Sequence, residues 1–386
     1  MAIVLHLTHT NVPTDARILR ELNALWLLPD VHVEAYGVLD QAAPKTALPF
    51  GLREFRVRSN DAHRLARAAR YALVLIEVNA RFISRLLRLR PDVVHCHDTM
   101  VLPSAVVAKL LQRSTVVYDA HELESDKAGQ SAALSKATLL LEKISWPHID
   151  RLITVSPSIA AWYADHLGPK PTWCILNSPE LSGVTHADPA RSKVGGVRAV
   201  LGIGDHEPLF VYVGALEPGR GLELLVDTFA QSITGSHIVF VGAGSLRDVV
   251  RGAAAEHRNI HYTPPVPHDE LVAFIKGATG GFCLIEDVSL SDHLCLPNKL
   301  FEYAFAGLPV IASRLPDIQR VVEQYQLGLC ADLTATSVRA AVVECNARSE
   351  NLPQERLEPL SWERQASDLR SLYADILHSD EVRVLR

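Results

Sequence analysis

The side chains of Lys299 and Glu302 are the first candidates for chemistry, because their types and spacing suit a phosphorylated sugar. They lie three residues apart in LPNKLFEYAFAG, where Pro297 fits a first helical position and Gly307 fits the position just past the helix end. Free backbone N–H groups and the dipole at a helix N-terminus bind anions, and a lysine adds a point charge suited to phosphate. A carboxylate one turn later can accept hydrogen bonds from two sugar hydroxyls. The spacing therefore predicts a nucleotide-sugar diphosphate site; alternatively, Glu302 only complements the helix dipole and Lys299 is solvated.

A loop in the second half of the chain, GALEPGRG, offers further contacts to a phosphate. Gly214 and the other glycines let the backbone approach an anion, and Arg220 is a bidentate phosphate donor. The G-x-G of GAGSLRD, which begins at Gly242, is too short for a dinucleotide fingerprint because the third glycine is missing. Either loop can also be a tight turn between a strand and a helix, and for the second loop that interpretation is favoured.

Histidines follow three predicted parallel strands near the N-terminus. His9 follows IVLHLT, His97 lies beside Asp98 at the end of PDVVHCHD, and His121 lies beside Glu122 after STVVYDA. Ligands of doubly wound sheets bind outside the carboxyl ends of the strands. We therefore expect these side chains to converge, whereas a single histidine in a loop would more often be inert.

The elements that position these residues alternate between apolar strands and amphipathic helices along the chain. Such alternation is typical of α/β proteins with doubly wound parallel sheets. The polar stretch 177–196 is rich in Gly, Pro and Ser and predicts an interdomain linker. The sequence predicts two similar Rossmann-like domains facing each other across a cleft, at residues 1–180 and 181–360. A C-terminal helix is expected at 361–386.

Composition excludes several classes of protein. The 386 residues are 48% hydrophobic and 21% charged, which is typical of a globular protein, and a net charge of −6 gives no reason to expect nucleic acid. The six cysteines lack C-x-x-C spacing, which argues against a zinc site or a disulfide framework and fits a reducing cytosol. The opening IVLHLT predicts a first strand and not a signal peptide, and no apolar run has the length of a transmembrane helix. We expect a cytoplasmic protein.

The segment from Arg53 to Arg90 is unusually basic. It holds ten arginines against Glu54, Asp61 and Glu77, interleaved with leucine, isoleucine and phenylalanine. Such an amphipathic surface can draw the domain to an anionic membrane, on its inner face, and to a lipid-linked acceptor. The alternative is that this segment is only the solvated face of two helices.

Taken together, several segments resemble the GT-B glycosyltransferases of the family 4 type, also called glycosyl transferases group 1. They are PDVVHCHD, VYDAHELESD, LITVSPS, VYVGALEPGRGLELLVDTF, FVGAGSLRD and, the most specific, LPNKLFEYAFAGLPVIAS. The resemblance covers nearly the whole chain and includes the closing helix from Trp362, which in this fold crosses back to the first domain. It implies that the C-terminal domain binds a UDP- or GDP-sugar donor and that the N-terminal domain binds a hydroxyl acceptor.

The resemblance also implies which residues contact the donor. Arg220 in the first loop and Lys299 at the helix N-terminus would neutralise the departing diphosphate, while Glu302 would contact the ribose. The donor-binding candidates are Gly214, Arg220, Gly242, Asn298, Lys299 and Glu302.

Two positions depart from the family pattern. Ala215 stands where an arginine usually contacts the diphosphate, and Leu294 stands where the first glutamate of a paired motif holds the donor sugar. One hypothesis is that Lys299 supplies the charge missing at Ala215. A second is that other residues bind the sugar hydroxyls, for which the candidates are Glu286, Asp292 and Asn177.

The resemblance further implies the remaining roles. His121 matches a position beside the reacting centre, so His121 and its neighbour Glu122 are the catalytic candidates; His9, His97 and Asp98 are the acceptor candidates. Family members usually retain the anomeric configuration without a metal or other cofactor, by stabilising the leaving diphosphate and an oxocarbenium-like centre. The expected activity is hexosyl transfer in polysaccharide or glycolipid assembly.

Two alternatives stay open from sequence. A nucleotide-sugar epimerase of the same fold would need its own acid and base, and no second convincing pair stands out. A non-catalytic relative that acts as a binding or scaffold subunit is consistent with Leu294 and Ala215. Binding of a nucleoside diphosphate separates this last alternative from the two enzymes.

Overall fold

The computed structural model describes residues 1–39, 48–59, 67–181, 195–231, 235–347 and 352–384. The chain divides into two compact units: unit 1 comprises residues 1–176 and 365–386, and unit 2 comprises residues 177–364. The predicted linker falls at the start of unit 2, and its residues 182–194 lie outside the described residues.

Unit 1 is built on a parallel sheet. Its described strands are β1 (Ala2–Leu7), β2 (Val31–Val38), β3 (Gly51–Phe55), β4 (Val93–His97), β5 (Thr115–Ala120), β6 (Arg151–Thr154) and β7 (Thr172–Cys174). They lie in the order β3-β2-β1-β4-β5-β6-β7. Every residue of β4 and β5 is buried, as expected for inner strands of a parallel sheet that helices cover.

The helices of unit 1 begin at polar caps that the sequence supplies. They are α1 (Ala16–Trp26), α2 (Arg67–Leu89), α3 (Leu102–Gln112), α4 (Ala132–Ser145) and α5 (Pro157–Leu167). Asp15, Ser131 and Ser156 each accept a hydrogen bond from a backbone N–H in the first turn of α1, α4 and α5. These caps satisfy N–H groups that have no partner inside the helix.

Unit 2 repeats the design with a second parallel sheet. Its described strands are β8 (Leu209–Val213), β9 (His237–Val241), β10 (Ile260–Thr263), β11 (Gly280–Cys283), β12 (Val310–Ser313) and β13 (Gly328–Ala331). They lie in the order β10-β9-β8-β11-β12-β13. The described helices are α6 (Val197–Leu201), α7 (Leu222–Ala230), α8 (Arg247–Glu256), α9 (His268–Ile275), α10 (Leu290–His293), α11 (Asn298–Phe305), α12 (Pro316–Gln324), α13 (Ala335–Ala347) and α14 (Gln354–Leu357).

A last helix, α15 (Trp362–Val384), closes the chain. Ser361 caps it by accepting a hydrogen bond from Arg364 N at 3.3 Å. From Gln365 onward the helix belongs to unit 1. Its Tyr373 is fully buried, and the Tyr373 hydroxyl oxygen lies 2.7 Å from His95 Nδ1.

The two sheets confirm the predicted fold class of two doubly wound, Rossmann-like domains. In each sheet the strand order reverses next to the first strand of the unit, between β1 and β4 and between β8 and β11. Ligands bind at such switch points, outside the carboxyl ends of the strands. The loops after β1, β4, β5, β8 and β11 are therefore the places to look for a site.

Tyr303 fixes helix α11 against the sheet of unit 2. Its hydroxyl accepts a hydrogen bond from Val213 N at 2.7 Å and donates to Phe282 O at 3.2 Å, so it joins α11 to both β8 and β11. Gly281 makes room for the ring, because a Cβ added there would lie 2.3 Å from Tyr303 Cγ.

We expect Gly281→Ala to destabilise unit 2 by about 1–3 kcal/mol, because the added methyl displaces the Tyr303 ring from a filled core. The midpoint of thermal unfolding measures the effect. Gly252→Ala is the matched control: it lies within α8 with no atom within 4 Å of the added Cβ, and it should stabilise by about 0.5–1 kcal/mol. Equal midpoints for the two variants would contradict the packing role of Gly281.

Candidate functional site

Lys299 lies in the first turn of α11, and its ammonium group has an unusual environment. Its Nζ lies 4.1 Å from the centre of the Tyr212 ring. The same atom is buried and has no hydrogen-bond partner among the described residues. The contact with the ring offsets part of the lost hydration, but a buried ammonium is normally paired. An anion at the N-terminus of α11, which begins at the exposed Asn298, would supply that partner.

Arg220 lies in the loop between β8 and α7. Its Nη1 donates to Asp292 Oδ1 at 3.0 Å, and Asp292 also accepts from Ser289 Oγ at 2.6 Å. Glu286 Oε1 accepts from the backbone N–H of Gly221 at 3.2 Å. The two carboxylates predicted to hold the donor sugar thus contact the loop that carries Arg220.

Glu302 lies one turn beyond Lys299 on α11. Its residue is 8% exposed, and its Oε1 lies 3.7 Å from His268 Nδ1. Burial raises the pKa of the Cys283 thiol on β11 to about 12, although the charges of Lys299 and Arg220 act in the opposite direction. Lys299 and Glu302 lie three residues apart on α11, and Arg220 lies in the loop that follows β8 of the same sheet.

The other donor candidates have identifiable structural positions. A Cβ added to Gly242 would lie 1.9 Å from Gly214 O, so the two loops pack backbone against backbone and Gly242 is required for that contact. Asn177 is half-buried at the start of unit 2. Ala215 O accepts from Tyr212 Oη at 2.8 Å, and Leu294 directly follows α10.

In unit 1 the predicted histidines converge at the carboxyl ends of β1, β4 and β5. His97 Nδ1 lies 3.1 Å from His121 Nε2. Asp98 lies between His121 and His9. Its Oδ1 is 3.5 Å from His121 Nδ1, and its Oδ2 is 3.7 Å from His9 Nδ1. The convergence that the strand ends predict is therefore present, while the roles of these residues remain predictions.

Asp98 has a strained backbone. Its φ is 66° and its ψ is 169°, a region that is almost restricted to glycine and costs a residue with a Cβ about 1–3 kcal/mol. The conformation is held by a hydrogen bond from Asp98 N to Asp119 O at 3.0 Å. Such strain concentrates at functional sites, and here it directs a carboxylate to both His9 and His121.

A buried carboxylate that sequence analysis missed, Asp119, organises this group. Arg17 Nε and Nη2 donate to its two oxygens at 3.0 and 2.7 Å. His121 Nε2 and His97 Nδ1 lie 3.0 and 3.2 Å from Asp119 Oδ2. The signal in the sequence is the YDAH spacing, which places Asp119 on the same side of the strand end as His121.

The charges of this group decide the protonation of its histidines. Burial lowers the pKa of His121, but the carboxylates of Asp98 and Asp119 outweigh it and raise that pKa to about 10. The pKa of His97 shifts in the opposite direction, because burial and the charge of His95 lower it to about 3. Burial also opposes ionisation of Asp119, yet Arg17 and His121 hold its pKa well below the usual value. At neutral pH His121 is an imidazolium between two carboxylates.

A cavity of about 520 Å³ opens beside this group, entirely within unit 1. Its polar end is formed by His9, Asp98 and His121, and its walls include apolar side chains of α2 and α4. Glu122, the second catalytic candidate, also lines it, with 49% of its side chain exposed and Oε1 at 2.9 Å from Lys127 Nζ.

Two groups of side chains among the described residues have the donor set of a metal site: His6, Glu21, His95 and His97, and His97, Asp119 and His121. In the first group the rings of His6, His95 and His97 stack with centroids 4.3–5.2 Å apart and tilts of 18–30°, so one cation cannot lie in all three ring planes. In the second group Arg17 already occupies both oxygens of Asp119. Both geometries favour hydrogen-bonded networks over a metal centre.

The basic segment predicted to face a membrane is partly neutralised within unit 1. Glu34 of β2 pairs with Arg53 at 3.6 Å and with Arg85 at 2.7 Å, and Glu77 pairs with Arg81 at 3.0 Å. Residues 60–66 of the segment lie outside the described residues. Among the helices described, none combines the length and apolarity of a membrane span.

Family models match both units of the chain. The glycosyl transferase 4-like domain matches residues 16–176, and the glycosyl transferases group 1 domain matches residues 207–346. The chain belongs to the GT-B glycosyltransferases of the family 4, group 1 type. The resemblance seen in the sequence is thereby confirmed.

Two named relatives match a large part of the chain. Glycogen synthase of Mycobacterium tuberculosis is 26% identical over 263 residues, 66% of this chain and 59% of that protein. D-inositol 3-phosphate glycosyltransferase of Corynebacterium efficiens is 23% identical over 308 residues, 74% of this chain and 71% of that protein. The chain thus spans less than two thirds of the glycogen synthase.

Solved structures with the same fold cover nearly the whole chain. Sucrose-phosphate synthase of Thermosynechococcus elongatus has a TM-score of 0.78 at 19% identity over 98% of this chain and 100% of that one. Anabaena HepE in complex with UDP-glucose has a TM-score of 0.71 at 13% identity over 97% and 100%. At these identities the likeness shows the GT-B fold alone.

We expect Arg17→Met to destabilise unit 1 by about 3–5 kcal/mol, because it leaves the buried carboxylate of Asp119 without its cation. The double variant Arg17→Met/Asp119→Asn should recover part of the loss. Thermal unfolding measures both, with Arg251→Met on the exposed face of α8 as the control, expected within about 0.5 kcal/mol of wild type. An Arg17→Met protein as stable as the control would contradict the role of the Arg17–Asp119 pair in organising this group.

The two histidines should titrate far apart. We expect the His121 imidazole to stay protonated until the pH approaches about 10 and the His97 imidazole to stay neutral down to about pH 3. Because the His121 pKa is raised above its unfolded value of about 6.5, its stabilisation is complete below that pH and is lost as the pH rises through about 10. Histidine NMR titration checks both values; His121 titrating near 6.5 would contradict the carboxylate pair.

Proposed function

We propose that this enzyme transfers a hexose from a nucleoside-diphosphate sugar, UDP- or GDP-linked, to a hydroxyl of an acceptor. The observation that carries the proposal is the buried Lys299 ammonium, which has no hydrogen-bond partner among the described residues and lies in the first turn of α11. A diphosphate supplies the missing partner for this cation. Anabaena HepE, which has the same fold, forms complexes with UDP and with UDP-glucose, and this supports a uridine nucleotide as the first to test.

In this proposal unit 2 binds the donor through its diphosphate and its ribose. Lys299 and the backbone N–H groups at Asn298 bind the diphosphate, Arg220 contributes a second cation, and Glu302 accepts from the ribose hydroxyls. Asp292 already holds Arg220. Binding of the diphosphate therefore exchanges one anionic partner of Arg220 for another, which leaves Asp292 available to the donor sugar.

The proposed chemistry retains the anomeric configuration and proceeds without a metal or other cofactor. Charge that develops on the leaving diphosphate is stabilised by Lys299 and Arg220. His121 acts as a cationic hydrogen-bond donor and not as a general base, because Asp98 and Asp119 keep it protonated. His9, His97 and Asp98 contact the acceptor in this proposal. Glu122, which lines the cavity, stays a catalytic candidate.

Location and pathway are proposals of the same kind. We place the enzyme in polysaccharide or glycolipid assembly in the cytoplasm, with peripheral attachment to an anionic membrane through Arg53–Arg90 and a lipid-linked acceptor. The exposed part of that segment supports it: Tyr71, Leu73 and Ile76 of α2 are 44%, 41% and 65% exposed. An amphipathic helix of this kind can lie in a membrane interface.

The donor site is tested by Lys299→Met, which keeps the apolar contact with Tyr212 and removes the charge. We expect affinity for UDP or GDP, whichever binds wild type, to fall tenfold or more, since a hydrogen bond to a charged group contributes about 1.5–3 kcal/mol. The unliganded variant should melt at a higher temperature than wild type, because an unpaired buried cation is lost. Isothermal titration and thermal unfolding measure the two effects.

The matched control is Arg251→Ala, which removes an exposed cation of the same unit outside the site. It should change neither affinity nor melting temperature, whereas Arg220→Ala and Glu302→Ala should weaken binding. If Lys299→Met and Arg251→Ala bind nucleoside diphosphates equally, the donor site has been misplaced. Transfer to an acceptor, compared with release of free sugar, then distinguishes a transferase from an epimerase or a binding subunit.

A further inference from the structure

A second cavity adjoins the candidate acceptor cavity of unit 1. It has a volume of about 290 Å³. The two cavities share His9, Tyr71 and Met100 in their linings. The two cavities therefore adjoin the same three side chains.

The lining of the smaller cavity is chemically different from that of the larger one. Its other lining residues are Val38, Val57, Arg70, Val74 and Val78. Val57 and Val78 are 6% and 1% exposed, so this wall is part of the folded core. No carboxylate is among the lining residues described, whereas the larger cavity is lined by Asp98, Glu122 and Glu124. We call the smaller cavity the valine lobe.

The valine lobe shares helix α2 with the larger cavity, which Tyr71 and Leu75 of that helix also line. Val38 is the last residue of β2, while Val74 and Val78 lie one turn apart on α2. Tyr71, one turn before Val74, lines both cavities and is 44% exposed. An aromatic residue that is half open to solvent between a polar and an apolar cavity suits a ligand with a polar and an apolar part.

We propose that the acceptor of this enzyme is an amphiphile whose alkyl or aryl group occupies the valine lobe while its hydroxyl-bearing head lies at Asp98, His9 and His121. This inference rests on the proposed function and names its acceptor class. A cavity of about 150 Å³ holds one benzene ring, so the valine lobe accommodates an octyl chain or a two-ring aryl group. The head is polar because the ionised Asp98 accepts hydrogen bonds from hydroxyls.

The polar end of the larger cavity and the valine lobe recognise different parts of the ligand. At the polar end, the Asp98 carboxylate, which lies 3.5 Å from the His121 imidazolium, accepts hydrogen bonds from hydroxyl groups. In the valine lobe, only Arg70, His9 and Tyr71 among the described lining residues have side chains that form strong hydrogen bonds with a polar group. A free sugar would therefore bind only the first part of the site.

The test uses n-alkyl β-D-glucosides, from methyl to octyl, as probes at concentrations below micelle formation. For wild type we expect affinity to rise by up to about fourfold for each methylene that the valine lobe buries, so octyl glucoside should bind at least a hundredfold tighter than methyl glucoside. Isothermal titration measures both. Equal affinity of the two probes, or binding of neither, would overturn the proposal.

Two variants locate the effect. Val74→Trp narrows the lobe and Val74→Asp places a charge in it, and both should abolish the gain of octyl over methyl glucoside while leaving methyl glucoside unchanged. Ile76→Trp is the control on the same helix, since Ile76 is 65% exposed and does not line the lobe. A gain that persists in both folded Val74 variants, or that Ile76→Trp also abolishes, would show that the octyl chain binds elsewhere.

The same samples are titrated with UDP and GDP, so that the two proposals fail separately. Nucleoside diphosphate binding without any preference for octyl glucoside overturns the amphiphilic acceptor and leaves the donor site intact. Preference for octyl glucoside without binding of either nucleotide overturns the proposed function and leaves the valine lobe as an apolar site.

Discussion

A parallel sheet that is covered on both faces confines polar chemistry to its carboxyl edge, and both candidate sites of this protein follow from that constraint. β4 and β5 are buried at every residue. His97 and Asp119 are accommodated there by hydrogen bonds to each other, to His121 and to Arg17, and His95 by a hydrogen bond to Tyr373 of α15. In unit 2 the same edge carries the loops of Arg220 and Gly242 and the start of α11. The fold thus determines where ligands can bind before any side chain is considered.

The two sites solve the problem of buried charge in opposite ways. In unit 1, Arg17, Asp119, His121 and Asp98 alternate in sign, so each charge has its partner inside the protein. In unit 2, the Lys299 ammonium lies against the face of Tyr212 and has no hydrogen-bond partner among the described residues. A satisfied network stabilises a fixed geometry, whereas a buried cation without a partner costs stability that a ligand can return. This contrast is why we assign the anionic donor to unit 2.

Much of this was predictable from the sequence. Apolar strands alternating with helices predicted the two doubly wound domains, and the position of residues after strands predicted that His9, His97 and His121 would converge. Lys299 and Glu302 were recognisable because a helix start fixes their spacing. In each case one local rule determines the position of the side chain.

The rest depends on contacts between residues distant in sequence. Arg17 and Asp119 are 102 residues apart, and Tyr373 reaches His95 across 278 residues, so neither pairing could be read from spacing. Glu34 neutralises arginines of the basic segment from a different strand. The valine lobe is likewise a property of packing, because Val38, Val57 and Val78 are ordinary core residues in the sequence.

The most direct test of the donor site is a crystal structure of the enzyme with UDP or GDP bound. The account predicts a diphosphate oxygen within about 3 Å of Lys299 Nζ, with the ammonium turned from the Tyr212 ring toward it and the Glu302 carboxylate on the ribose hydroxyls. A nucleotide bound elsewhere, with Lys299 still against Tyr212 and without an anionic partner, would contradict it.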